Sequence, residues 1–228
     1  MIKMRYHDID FNLQRNKRKT VSIYVEPSGE INVLAPEKIS DNDLHQIIDK
    51  KRYWIYKSLS ELKQLNETNV EREIRNGEGF LYLGRSYKLR ILKNLKNPLT
   101  LRQGCFYLDE RSSDKAKEHF KEFYKNKGKI HISSRIEYFK NKLGVIPPTL
   151  RIIELGNRWG SCSDKYLNFH WKIMMAPMRI IDYVIVHELA HMIEINHTSK
   201  FWELLESIIP EYKERKDWLK VNGANLDI

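Results

Sequence analysis

Cysteine is nearly missing from this chain: Cys105 and Cys162 are the two thiols in 228 residues. They are not spaced as a metal knuckle, and two thiols cannot build a disulfide framework, so a reducing compartment suits them. Long apolar runs are missing too. The stretch from Ile180 to Ala190 is interrupted by Asp182, His187 and Glu188, which excludes a transmembrane helix and any expected membrane association. The opening segment, MIKMRYHDIDFNLQRNKRK, has charges where a secretory signal has its apolar core, and no small-residue cleavage site. A cytoplasmic location is the expectation. Internal repeats, low-complexity tracts and recognisable DNA-reading motifs are also absent.

What is present is a folding composition. Hydrophobic residues make up 41% of the chain, enough for one large domain or two small ones. The formal charge is +10, and its distribution matters more than its size. Lys and Arg number 14 against 12 Asp and Glu over residues 1–75, 18 against 8 over 76–160, and 8 against 10 over 161–228. The basic surplus therefore sits in 76–160. It reads either as the solvated face of a Lys-rich helix or as a surface for nucleic acid.

Residues 20–26 and 30–35 alternate apolar and polar around Pro27-Ser28-Gly29 and predict a β-hairpin. Ser40 to Leu65 spaces Leu44, Ile47, Ile48, Trp54, Ile55, Leu59 and Leu62 as one helix, with Ser40 or Asp41 as N-cap. Short strands follow at 79–83, 87–92, 99–101 and 105–108. A helix from Ser112 or Ser113 carries Ala116, Phe120, Phe123, Tyr124, Ile132, Ile136, Phe139 and Leu143, with a break expected at Gly128 and an end before Pro147-Pro148. Strands are expected at 149–155 and 167–174, and helices from Met178, at 199–208 and at 211–219. The expected division is a strand-rich region with one long helix over 1–110 and a catalytic region over 111–228.

The chemistry lies in Tyr183 to His197, YVIVHELAHMIEINH. On a helix His187 and His191 stand about 40° apart around the axis and one turn apart along it, so both imidazoles reach one ion. Glu188 follows the first of them, placed to take a proton from a zinc-bound water that attacks an amide carbonyl. A catalytic zinc keeps three protein ligands and one open position. His197 is the best third ligand, with Glu194, Glu203 and Glu206 as alternatives. An unbroken helix would carry His197 about 240° past His191, so the chain must leave the helix first. Asn196 is the expected exit, in the left-handed conformation, with Thr198 or Ser199 capping the next helix. The H-E-x-x-H-x5-H spacing is that of metzincins, but Glu194 replaces their glycine and no methionine follows Met192 for their Met-turn, so this is not a metzincin.

Three runs, NRWGSCS (157–163), NFHWKIMMAP (168–177) and IDYVIVHELAHMIEINHTSKFW (181–202), resemble the YgjP-like metallopeptidase family, formerly a domain of unknown function. RKTVSIYVEPSGEINVLAP and FLYLGRSYKLRIL extend the likeness upstream. The resemblance implies an α+β zincin-like fold, an active-site helix and a backing helix against a small mixed sheet, with a hairpin-rich N-terminal part. It implies Zn2+ on His187, His191 and His197, and Glu188 as the catalytic base. The family is related to SprT-like and WLM peptidases. His170 departs from the pattern, which has asparagine before the tryptophan; a core or surface role is expected for it rather than one in the cleft.

Asn157, Arg158, Trp159, Gly160 and Ser161 form the candidate substrate-binding set, because an edge strand beside a zincin site pairs with an extended peptide. The competing reading puts Trp159 and Cys162 in the core and Gly160 in a turn. Phe201 and Trp202 are expected to pack and fix the helix after His197. The function expected is zinc-dependent hydrolysis of a protein or peptide substrate. The alternatives are a nucleic-acid-associated protein with a structural or regulatory zinc, binding through 76–160, and a peptidase acting on nucleoprotein.

Overall fold

The structure is a computed structural model that describes residues 2–25, 29–66, 72–156 and 158–228, without the side chains of 61–66. The chain divides into two compact units, Met1–Asn69 and Val70–Ile228.

The first unit is a four-stranded sheet and a helix. Strands β1 (Ile2–Tyr6), β2 (Ile9–Asn16), β3 (Ser22–Val25) and β4 (Ile31–Pro36) run in the order β1-β2-β4-β3, with β2 and β4 parallel and both outer pairs antiparallel. The expected hairpin is the β3–β4 pair; its turn residues Pro27 and Ser28 lie outside the described residues. Strands β1 and β2 have no counterpart in the sequence reading. Their signal is the alternation of Ile9, Phe11 and Leu13, buried on one face between exposed polar neighbours. Helix α1 (Asp41–Asn66) starts where the Ser40 hydroxyl accepts from the Asp43 N–H at 3.1 Å. It adds Leu44, Ile48 and Ile55 to the core of this unit, each fully buried and each stabilising by about 1.5–3 kcal/mol. Trp54, expected on the apolar face, is exposed.

The second unit opens with a sheet of β5 (Gly79–Tyr82), β6 (Arg85–Leu92), β7 (Leu99–Arg102) and β8 (Cys105–Asp109), in the order β5-β6-β8-β7. Leu83 and Gly84 turn β5 into β6 with φ of 49° and 78°, as a tight two-residue hairpin demands. After a 3-10 stretch at Glu110–Lys115 comes α2 (Ala116–Leu143). Ser112 and Ser113 thus precede the helix instead of starting it. Helix α2 runs unbroken through Gly128: a Cβ there would come within 3.3 Å of Ile152 and 3.4 Å of Met174, so the glycine permits close packing and does not break the helix. The helix ends at Gly144, in the left-handed region at φ 66°.

Next come β9 (Thr149–Ile153), β10 (Gly160–Cys162) and β11 (Tyr166–His170), in the order β10-β11-β9, with β11 parallel to β9 and antiparallel to β10. The strand expected to reach Met174 stops at His170. There the His170 Nδ1 accepts from the Lys172 N–H at 3.1 Å and starts a 3-10 turn over Trp171–Met175. Helices α3 (Met178–Ala190), α4 (Ser199–Ile208) and α5 (Tyr212–Asn222) complete the chain.

The boundary between the compact units falls at 69/70 and not at 110. The physical reason is burial: Phe80, Leu89, Phe106 and Leu108 of the β5–β8 sheet share one core with Phe120 and Tyr124 of α2 and with Ile181 and Ile185 of α3. Phe80 stacks on Phe120 with ring centroids 4.3 Å apart. This α+β arrangement sets a small mixed sheet and a backing helix α2 around a central helix α3.

Candidate metal centre

Helix α3 is buried almost all round. From Ile180 to Ala190 only His187 is part-exposed, so the helix is held on every side. One polar clamp fixes its rotation. Arg135 on α2 donates from Nε and Nη2 to the two carboxylate oxygens of Asp182, at 2.6 and 2.8 Å.

The helix ends at Ala190, with His191 as its C-cap at φ −63° and ψ −16°. The N–H groups of Met192, Ile193 and Glu194 donate back to the carbonyls of Leu189, Ala190 and Ala190. These short turns satisfy the last carbonyls of the helix without a left-handed residue. The expected exit at Asn196 is therefore corrected: among the described residues nothing between His187 and His197 has positive φ. Thr198 then caps α4, its Oγ1 accepting from the Phe201 N–H at 3.5 Å.

This folding back brings His187, His191 and His197 together, with one nitrogen of each within 4.8 Å of the others. His197 Nε2 stands 3.0 Å from His187 Nε2. His191 Nδ1 faces the Glu194 carbonyl at 3.2 Å, so Nδ1 carries the proton and Nε2 presents its lone pair. Burial, reinforced by His191, His197 and Lys216, pushes His187 down to about 3; burial likewise lowers His197. Both are neutral at physiological pH, the form that ligates metal. A tetrahedral zinc at 2.0–2.1 Å sets its ligand nitrogens about 3.3 Å apart, close to the 3.0 Å between His187 and His197. The triad fits a metal ion with one open position. The alternative ligands stand apart: Glu194 contributes its carbonyl to His191, and Glu203 and Glu206 lie outside the cluster among the described residues.

Aromatic rings wall the cluster. Phe201 lies 5.0 Å from His187 and 4.7 Å from both His191 and His197. Trp202 stacks on His197 at 5.4 Å, and Tyr212 stacks on Trp202 at 5.4 Å. Both residues expected to pack after His197 thus pack directly against the histidines.

Glu188, the residue after His187 on α3, is buried at 6% exposure. Burial lifts its carboxyl to about 7, against the pull of Arg158. It faces β10: a Cβ on Gly160 would lie 2.6 Å from the Glu188 Cγ and 2.7 Å from its Oε1. Only glycine allows that approach. Strand β10 pairs with β11 on one side (Gly160 with Phe169, Ser161 with Asn168) and has no partner on the other among the described residues.

Of the proposed substrate set, then, Gly160 and Ser161 lie on a free edge beside Glu188, and Arg158 is exposed near it. Trp159 is different. Its ring packs near His170 at 5.9 Å, and a Cβ on Gly223 would come within 3.0 Å of it, so it belongs to the core side of the strand. Asn157 lies outside the described residues. His170 is a buried structural residue, as expected, its Nε2 2.9 Å from Glu154 and its Nδ1 capping the 3-10 turn. No sequence motif marked Arg135, Asp182, Tyr212 or Lys216. Tyr212 and Lys216 had a signal in their four-residue spacing on an amphipathic helix, but nothing local pointed it at His197.

A family model described as YgjP-like, metallopeptidase domain, matches residues 19–222. The chain belongs to the YgjP-like metallopeptidase domain family. That membership places it among metallopeptidases and bears out the likeness carried by the HELAH and RWGSCS runs. Among solved structures, the chain is similar to the crystal structure of the metallopeptidase zymogen of Pyrococcus abyssi abylysin, at 25% identity and a TM-score of 0.37, covering 39% of this chain and 90% of that one. No curated protein matches it. No helix among the described residues is long and apolar enough to cross a membrane. In the basic segment, three lysines of α2 pair with carboxylates: Lys121 with Glu154, Lys125 with Glu122 and Lys140 with Glu137.

Proposed function

We propose that this family member is a zinc-dependent peptidase in which His187, His191 and His197 hold the ion and Glu188 is the general base. The observation that carries the proposal is the clustered histidine triad, with a buried carboxyl lifted to about 7 on the residue next to His187 and packed against Gly160 of a strand whose outer edge has no partner among the described residues. When bound, zinc supplies Lewis acidity: it polarises a scissile carbonyl and makes water acidic near neutral pH.

The chain's own groups do the rest. An extended protein or peptide substrate adds to the free edge of β10, and main-chain hydrogen bonds at Gly160–Cys162 lay its scissile bond alongside α3. Glu188 takes a proton from the attacking water and delivers it to the amide nitrogen as the C–N bond breaks. Its pKa suits both steps, since a base that holds its proton too loosely cannot return it. Arg158 adds positive charge where the oxyanion develops.

The test is Glu188→Gln. Cleavage of a casein or peptide substrate should fall by about a hundredfold to ten-thousandfold while zinc stays bound. Undiminished cleavage would remove Glu188 from the mechanism.

A further inference from the structure

On α5, Tyr212 and Lys216 are four residues apart and share a face, and both meet Trp202. Tyr212 stacks on the indole, and the Lys216 Nζ stands over it, 4.5 Å from the ring centroid. Trp202 itself stacks on His197. The ammonium is thus tethered one ring away from a metal ligand. A cation–π contact of this kind holds the group in place without neutralising it.

Lys216 differs from its neighbours on this helix. Lys213 reaches Glu206 at 3.9 Å and Arg215 reaches Glu211 at 3.2 Å, whereas among the described residues no carboxylate lies within ion-pair distance of Lys216. Its charge is felt at both His187 and His197. The other charged groups around the centre act elsewhere: Arg158 on Glu188, Asp217 on Tyr183, Asp164 on Cys162. An unpaired ammonium so close to a site for a dication opposes metal binding, so a stabilising role does not explain it. An anion bound between the two would turn that repulsion into attraction.

We propose that Lys216 is a substrate-binding residue that takes a carboxylate beside the metal centre, so that preferred substrates carry an Asp or Glu side chain, or a free C-terminus, on the α5 side of the scissile bond. This rests on the peptidase reading above and deepens it. The same field disfavours Lys and Arg at that position.

The test uses the full-length, zinc-loaded Glu188→Gln protein, so that binding is read without turnover. The probes are synthetic peptides of one neutral sequence in which a single Glu or its Gln counterpart is moved residue by residue, each with an amidated or a free C-terminus. One Glu position, or the free C-terminus, should bind roughly fivefold tighter than its neutral counterpart. The two arms distinguish a side-chain from a terminal carboxylate. Adding Lys216→Ala should erase that ratio, Lys216→Glu should reverse it in favour of a Lys-containing peptide, and Lys216→Arg should restore it. A role confined to packing Trp202 would shift acidic and neutral peptides together and leave the ratio alone. Absence of any carboxylate preference, or a preference that survives Lys216→Glu, overturns the proposal. The wild-type protein is assayed for cleavage on the same peptides. A Lys216-dependent preference without cleavage upholds this subsite and counts against the peptidase mechanism; cleavage without such a preference overturns this subsite alone.

Discussion

Replacing Glu188 by Gln in the metal-free protein should stabilise it, by an amount set by pH. Burial lifts the Glu188 carboxyl from its ordinary 4.5 to about 7, against the pull of Arg158. Each tenfold change in proton affinity is worth about 1.4 kcal/mol. The sign follows from linkage. Because the folded state holds this proton more tightly than the unfolded chain, the favourable contribution is complete below about pH 4.5 and is lost as pH rises through about 7. Relative to a side chain that never ionises, the carboxylate therefore costs about 3 kcal/mol at pH 8 and under about 1 kcal/mol at pH 5. Glutamine keeps the shape and has no such penalty. For a protein of this size the melting temperature should rise by about 6–12 °C at pH 8, and by no more than about 2–4 °C at pH 5. Calorimetry of both proteins in chelator at the two pH values reads the difference directly. Saturating zinc should shrink the gain at pH 8, because a nearby dication favours the carboxylate. An equal gain at both pH values, or none at pH 8, would refute the assignment of Glu188 as a buried carboxyl with a raised pKa.

Three further substitutions probe the scaffold. Gly160→Ala places a methyl 2.6–2.8 Å from the Glu188 side chain, so cleavage should drop at least about tenfold while zinc content, measured on the same sample, is unchanged. Asp182→Ala leaves Arg135 without its bidentate partner at the α2–α3 contact; the loss should be about 2–3 kcal/mol by chemical denaturation, with part recovered when Arg135 is also replaced by Met. Gly84→Ala combines a φ of 78° with a Cβ 2.7 Å from Pro177 Cγ and 2.9 Å from its Cα, and should cost about 1–3 kcal/mol, read as a lowered melting temperature with the metal site intact.

Much of the centre could be read from local periodicity. His187 and His191 follow from the helical repeat, and Glu188 from its place beside the first histidine. The fold class follows from hairpin punctuation, the α1 and α2 stripes and the family-like runs. What escaped was decided by tertiary contact. The β1–β2 hairpin carries only a short alternation, Ile9, Phe11 and Leu13 separated by Asp10 and Asn12, and its burial becomes visible only with the rest of the core of this unit. Gly128 reads as a helix breaker until Ile152 and Met174 are seen pressed against it. Asn196 has the chemistry of a helix exit, but the short turns after Ala190 end the helix earlier. The approach of Gly160 to Glu188 joins β10 to α3, and that of Lys216 to Trp202 joins α5 to α4. Neither contact follows from the periodicity of one element.

The proposed centre is three histidines holding one zinc. Metal analysis of the wild-type protein and of His197→Ala, purified side by side and dialysed against the same buffer, tests it most directly. One zinc per chain is expected in the wild type and a largely empty site in the variant, which should keep its fold. A metal-free wild type, or full occupancy in His197→Ala, would contradict it.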